Sequence, residues 1–240
     1  MQSLTRTARA TGAWYLGLAI TGALGNLLIR SALFVADDPA ATAANLAERS
    51  SLTHLGLLME LLIVVTQAMA AVWFYRLFRD INASAAGALR AFGLVNSVAI
   101  MASAVFLAAA VSVVNDPTLA PGGDVNATAQ LMYVLSGHAW GIGAVFFGLW
   151  LIPMGYIVVT SGRMPRVLGW ILIAGGVGYV ASALLDYGWA DAPSGLAEAL
   201  PFFATVGEVW MIGYLLSVGI RRAPLHAPAA TTAGSAVVEA

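Results

Sequence analysis

Four ionisable side chains stand inside long apolar stretches of this chain: Arg30, Glu60, His138 and Glu208. Each interrupts a run long enough to cross hydrocarbon, where an unpaired charge costs about 3 kcal/mol or more. Such residues therefore mark either a structural ion pair or a site. The helix rise of about 1.5 Å per residue sets their depth. Measured from one boundary of the apolar core, Arg30 lies about 8 Å in, Glu60 about 9 Å, His138 about 10 Å and Glu208 about 12 Å. A cation, two carboxylates and an imidazole from four stretches thus share a level. Asn26 and Arg30 are four residues apart and Glu60 and Gln67 seven apart, so each couple shares a helix face. Charges at one depth turn inward together, because each lowers the other's desolvation cost. The expectation is a polar pocket of Asn26, Arg30, Glu60, Gln67, His138 and Glu208, open toward the outer side.

Several chemistries fit that set. The pocket could bind or carry a small solute, or pass protons between intramembrane carboxylates. Glu60, His138 and Glu208 could hold a metal or act as general acid and base, although no local His-Glu-x-x-His pair supports a zinc enzyme. His54 and His138 could ligate a haem, but at unequal depth. The structural alternative is equally concrete. Arg30 could snorkel to the interface, or pair with Glu60 or Glu208 to fix helix register. His138 lies within Gly137-x-x-x-Gly141, a spacing that lets a neighbouring helix approach. No catalytic motif is present, no cofactor is implied, and the sequence assigns no enzymatic activity.

The elements that must carry these residues are legible in composition. Of 240 residues, 60% are hydrophobic and 10% charged, with a mean hydropathy of +0.84. A soluble domain is about 25% charged. So little charge cannot cover a globular surface, and lipid must solvate much of it. All 11 basic residues are arginine and the net charge is −1, with no basic block of the kind that binds nucleic acid. The absence of cysteine excludes disulfides, thiolate nucleophiles and iron–sulfur ligation.

Six apolar stretches, about 11–35, 53–78, 88–114, 131–160, 164–187 and 199–220, reach roughly the 20 residues that a spanning helix needs. Lipid-exposed backbone must hydrogen-bond to itself, which leaves helix as the assignment. The expected fold is all-α: a polytopic bundle of six transmembrane helices in one domain, 1–222. The first stretch is longer than the roughly 7–15 apolar residues of a cleaved signal and reads as a retained helix. Nine of the eleven arginines fall on one side: Arg6, Arg9, Arg76, Arg79, Arg90, Arg163, Arg166, Arg221 and Arg222. The opposite loops hold Asp37, Asp38, Glu48, Asp116, Asp124, Asp191 and Glu198. The positive-inside rule then puts both termini in the cytoplasm, in the cell membrane. Arg76, Arg79, Arg163 and Arg166 read as contacts to membrane lipid headgroups.

Loop chemistry supplies boundaries. Asp38 followed by Pro39 reads as an N-cap opening a short interfacial helix to Arg49. Gly162 suits a C-cap and Pro165 the start of the fifth helix. Pro153 is placed to kink the fourth. The tail 223–240 is rich in Ala, Pro and Thr and is expected to be disordered. Asp38-Pro-Ala-Ala-Thr42-Ala is echoed by Asp124-Val-Asn-Ala-Thr128-Ala, a faint hint of a duplicated hairpin. No symmetry between the two halves supports an inverted repeat of the transporter type.

The chain resembles an uncharacterised bacterial multi-pass membrane family, catalogued as a domain of unknown function (DUF4386), over residues 6 to 222. The resemblance rests on Ala8-Arg9-Ala10-Thr11-Gly12 with Tyr15-Leu16, on Asp38 to Asn45, and on Tyr75-Arg76-Leu77. Its most specific part runs from Phe146-Phe147-Gly148-Leu149 through Gly155-Tyr156, Ser161-Gly162 and Pro165-Arg166-Val167-Leu168-Gly169. Gly178-Tyr179 and Gly207-Glu208 follow. The chain is similar to the family at His138 and Glu208. It departs at Glu60 and Gln67, where the family pattern implies aspartates, and Gln67 cannot relay a proton. The resemblance implies fold and location, and no activity.

Overall fold

The computed structural model describes residues 2–189 and 194–221; the tail expected to be disordered lies outside the described residues. Helix α1 runs Gln2–Gly22, continues as a π-helix over Ala23–Arg30 and closes with Ser31–Leu33. The helices α2 (Pro39–Glu48), α3 (Ser50–Phe78), α4 (Ala83–Asn115) and α5 (Val125–Ser161) follow. Then come α6 (Arg166–Gly188), the short α7 (Ser194–Ala199) and α8 (Phe202–Ser217). There is no strand among the described residues.

The boundaries follow from local chemistry. Asp38, Asn82 and Asp124 each accept a hydrogen bond from the backbone N–H three residues on, at 2.9 Å, and so start α2, α4 and α5. Two of these caps explain the echo between Asp38–Ala43 and Asp124–Ala129. Each is an N-cap aspartate, and a helix start needs no common ancestry to look alike. Gly162 ends α5 in the left-handed conformation, φ +65°, which favours glycine. Capping carries α4 and α5 past the stretches 88–114 and 131–160 into the polar zone. Pro153 sits within an unbroken α5. At α8 the reverse holds. Pro201 stands at its start and Gly219, φ +74°, just past its end, which trims the helix inside the expected 199–220.

Five helices are long and apolar enough to cross a bilayer: α1 over Leu4–Leu33, then α3, α4, α5 and α6. Six spans were expected; five reach full spanning length, and the sixth stretch holds α8, an apolar helix of 16 residues that falls short of it. Large apolar side chains such as Leu61, Val98, Val105, Val167 and Leu184 face outward around the bundle. Water would not tolerate so continuous an apolar surface, and lipid does.

The helices form a closed ring. α1 packs on α3, α3 on α4, α4 on α5, α5 on α6, α6 on α8 and α8 back on α1. Glycine permits the closest seam. A Cβ placed on Gly148 of α5 would meet the Gly176 carbonyl of α6 at 2.6 Å, and the reverse substitution meets Gly148 at 2.6 Å. Gly155 and Gly169 continue that seam one turn pair further along. Between Gly137 and Gly141, by contrast, the space is taken by the side chains of Arg30 and Tyr187 rather than by a helix backbone.

Two apolar clusters plug the ends of the ring. At the arginine-rich end, Tyr15, Phe74 and Trp150 meet edge to face at centroid distances of 5.3–5.6 Å, above Phe78, Leu89 and Met154. At the aspartate-rich end, α2 lays Ala43 and Leu46 over Leu33, Leu107 and Tyr133.

Candidate functional site

Between the two plugs lies a cavity of about 700 Å³ lined from all six helices of the ring. Its volume is that of a small-molecule site. Most of the wall is apolar, from Leu18, Ile63, Ile100, Phe147, Val209 and Ile212. The large apolar side chains that both line it and reach the surface are Leu27 on α1, 67% exposed, and Val209 on α8, 64% exposed. They stand with Ala23 and Thr205 along the flank where α1 and α8 face each other. At the end where an opening was expected stand α2 and the Leu33–Leu46–Tyr133 cluster, while exposed lining residues gather on the α1–α8 flank.

One group of polar residues near the aspartate-rich end is closed on itself. Arg30 donates to Ser136 Oγ at 2.9 Å and to the Tyr133 carbonyl at 3.0 Å. It also lies 4.7 Å from the Tyr133 ring centroid and 3.8 Å from Glu60. Glu60, buried, accepts from Trp140 Nε1 at 2.9 and 3.2 Å. Ser136 in turn is bonded to Ser103 at 2.8 Å. The π-helical segment of α1 adds a residue per turn just here, which sets the phase that turns Arg30 into the bundle. Of the two pairings open to Arg30, the structure forms the one with Glu60.

A second group lies deeper and is open. Four buried side-chain atoms lack any hydrogen-bond partner among the described residues, and two of them are the Nε2 and Oε1 of Gln67. Gln67 is fully buried and faces the cavity, as do Asn96 and the half-buried Asn26. Neither asparagine side chain bonds to another described residue. Glu208 lines the same wall and accepts one hydrogen bond, from Tyr15 Oη at 2.7 Å. No arginine or histidine stands within ion-pair distance of it among the described residues.

His138 does not join this set. It is exposed, outside the cavity wall, with its Nδ1 3.2 Å from Tyr187 Oη. The wall takes Gly137, Trp140, Gly141, Ala144 and Phe147 from α5, the spacing of one helix face. His138 is one residue, about 100°, off that face. Depth alone does not fix helix phase, and phase turns His138 off the wall. His54 is exposed as well, its Nδ1 2.8 Å from the Ser50 carbonyl. Glu60, His138 and Glu208 are thus not gathered. No group of three His, Asp or Glu that could hold a metal occurs among the described residues.

Sequence reasoning passed over Tyr15, Asn96, Trp140 and Ser136. Asn96 carried a signal, as a carboxamide in the middle of an apolar span. The other three are ordinary inside helices and gain their roles only from their neighbours.

An all-α bundle with an outward apolar belt, a central cavity and unpaired polar groups inside it defines a helical membrane protein with an internal cavity. More narrowly, the chain belongs to the family described as Domain of unknown function (DUF4386), whose model matches residues 10–219. It is similar to an uncharacterized protein of Archaeoglobus fulgidus, 32% identical over 78 residues. That match covers 32% of this chain and 44% of the archaeal protein, so the chain spans less than half of that relative's length. No solved structure matches the chain.

Proposed function

We propose that this is a cell-membrane protein which crosses the bilayer six times, with both termini in the cytoplasm, and binds or carries a small solute in its central cavity. Gln67 carries the reading. A fully buried carboxamide with neither atom bonded costs about 1–3 kcal/mol in the empty protein. A purely structural interior would have filled that position with an apolar side chain. Arg30 and Glu60 belong to the scaffold on this reading, since each is already bonded within the protein, Arg30 to Ser136 and Tyr133 and Glu60 to Trp140.

The sixth crossing rests on α8. Its 16 residues span about 24 Å, short of a hydrocarbon core of about 30 Å. It nonetheless lies between α6 and α1 in the ring, and its far end reaches the level where the Arg221 amide donates to the Arg163 carbonyl at 3.2 Å.

The chain has no cysteine, so single thiols report on access without background. Ala144→Cys on the cavity wall is expected to react with N-ethylmaleimide at a rate near that of an exposed site. Met154→Cys, in the solid plug, is expected to stay unmodified. Equal inertness of the two thiols would remove the solute-binding reading.

A further inference from the structure

Two charged side chains line the cavity, Arg30 and Glu208, and the first already has an acidic partner behind the wall. Arg30 brings one positive charge and is answered by Glu60 at 3.8 Å. Glu208 brings a negative charge, and its bonded partner is the neutral hydroxyl of Tyr15. The other titratable groups on the cavity wall besides Tyr15 are the phenol of Tyr179 and Arg30, which is backed by Glu60. With Glu60, which lies behind the wall, set against Arg30, an ionised Glu208 leaves one uncompensated negative charge in a largely apolar space. An anion would meet that charge with no free cation to receive it. A neutral solute would leave it unanswered.

The surroundings of Glu208 suit a soft, weakly hydrated cation. Tyr15, Trp140, Phe147 and Tyr179 line the same cavity, and the Phe147 and Tyr179 rings meet edge to face at 5.2 Å. Aromatic faces attract ammonium groups within about 6 Å, most strongly where water is excluded. The Oε1 of Gln67 is a free acceptor on the same wall. The lateral seam between α1 and α8, bordered by Leu27 and Val209, opens onto the outward apolar belt rather than onto either polar end.

We propose that the cavity takes a membrane-partitioned organic monocation, a lipophilic amine or quaternary onium ion, which enters sideways between α1 and α8 and seats its charge against Glu208 among the aromatic rings. This rests on the reading that the cavity admits solutes, and it names their class.

The test pairs two ions of nearly the same shape and opposite charge. Full-length protein in phosphatidylcholine nanodiscs is dialysed against tetraphenylphosphonium and against tetraphenylborate, with empty nanodiscs as the blank. The cation is expected to bind saturably at one site per chain, and the anion to show only its partition into lipid. Glu208→Gln is expected to weaken cation binding at least tenfold, and Glu208→Asp to restore most of it. Val209→Trp, at the seam, is expected to slow cation uptake while Glu208 stays intact. N-ethylmaleimide labelling of Ala144→Cys in the Glu208→Gln background keeps the cavity itself in view. If that thiol labels but the two ions bind alike, or Glu208→Gln binds the cation as wild type does, the monocation assignment is wrong. If the thiol is inert in the wild-type background, the solute-binding reading falls first and takes this one with it.

Discussion

A carboxamide at position 67 with neither polar atom bonded destabilises the empty protein. Gln67→Leu keeps the volume and removes both atoms, so it is expected to raise unfolding stability by about 1–3 kcal/mol. Thermal unfolding in detergent reads this directly, and a lower midpoint for the leucine variant would mean that the amide is bonded within the protein. Arg30 behaves oppositely. Arg30→Met strands Glu60 beside Trp140 alone and is expected to cost about 3 kcal/mol. Adding Glu60→Met should recover part of that loss, since two apolar groups leave no buried charge. A double variant as unstable as the sum of the two singles would show the residues to be uncoupled. Arg30, Glu60, Gln67, Asn26 and Glu208 were legible in the sequence because polar groups are conspicuous in an apolar span. What was not legible was the partition between closed and open groups. Trp140 and Ser136 satisfy Glu60 and Arg30 from another helix, and no periodicity within one helix reveals such a contact.

Glycine decides how the elements approach. Gly148→Ala pushes a methyl into the Gly176 carbonyl and is expected to destabilise the α5–α6 pair by about 1–3 kcal/mol. A Cβ on Gly87 of α4 or Gly213 of α8 meets nothing within 4 Å. Alanine there should be neutral or stabilise by about 0.5–1 kcal/mol, because glycine loses more entropy in a helix. Unfolding of the three variants side by side tests the contrast; equal effects would mean that the α5–α6 backbones do not touch. The loop after α4 gives a pH signature. Asp116 accepts from the Thr118 hydroxyl at 2.6 Å and from its amide at 3.1 Å, which holds the carboxyl below the usual range. That contribution is therefore present above the ordinary aspartate pKa of about 3.9 and is lost as pH falls through the lowered folded value. Faster amide exchange at Thr118 in acid is the expected readout, and Thr118→Ala should move the midpoint upward. Helix positions and caps were readable in advance because capping is local chemistry. The π-helical segment Ala23–Arg30 was not, since its residues are ordinary helix formers and its partners, α3 and the Ser136 and Tyr133 acceptors of Arg30, lie far off in the chain.

For the whole molecule, the testable matter is sidedness. Arginine placement predicts both ends in the cytoplasm. Fusing a reporter active only in the cytoplasm to either terminus should give signal from both. Signal from one terminus alone would reduce the count of crossings to an odd number and remove α8 from the spanning set. Ring closure was out of reach from sequence, because which helices neighbour which depends on contacts between segments far apart in the chain.

The order of helices around the ring makes α1 and α8 neighbours in space while they are the most distant in sequence. Every other adjacent pair is joined through the intervening chain, but this pair has no connecting segment of its own. Parting the two would strain no hairpin turn; what would have to give includes the packing of Gly12 on Leu215 and Leu216 and the Tyr15–Glu208 bond. The proposed doorway thus sits where no hairpin bridges the wall, and the bond that latches it is made by the carboxylate proposed to receive the guest.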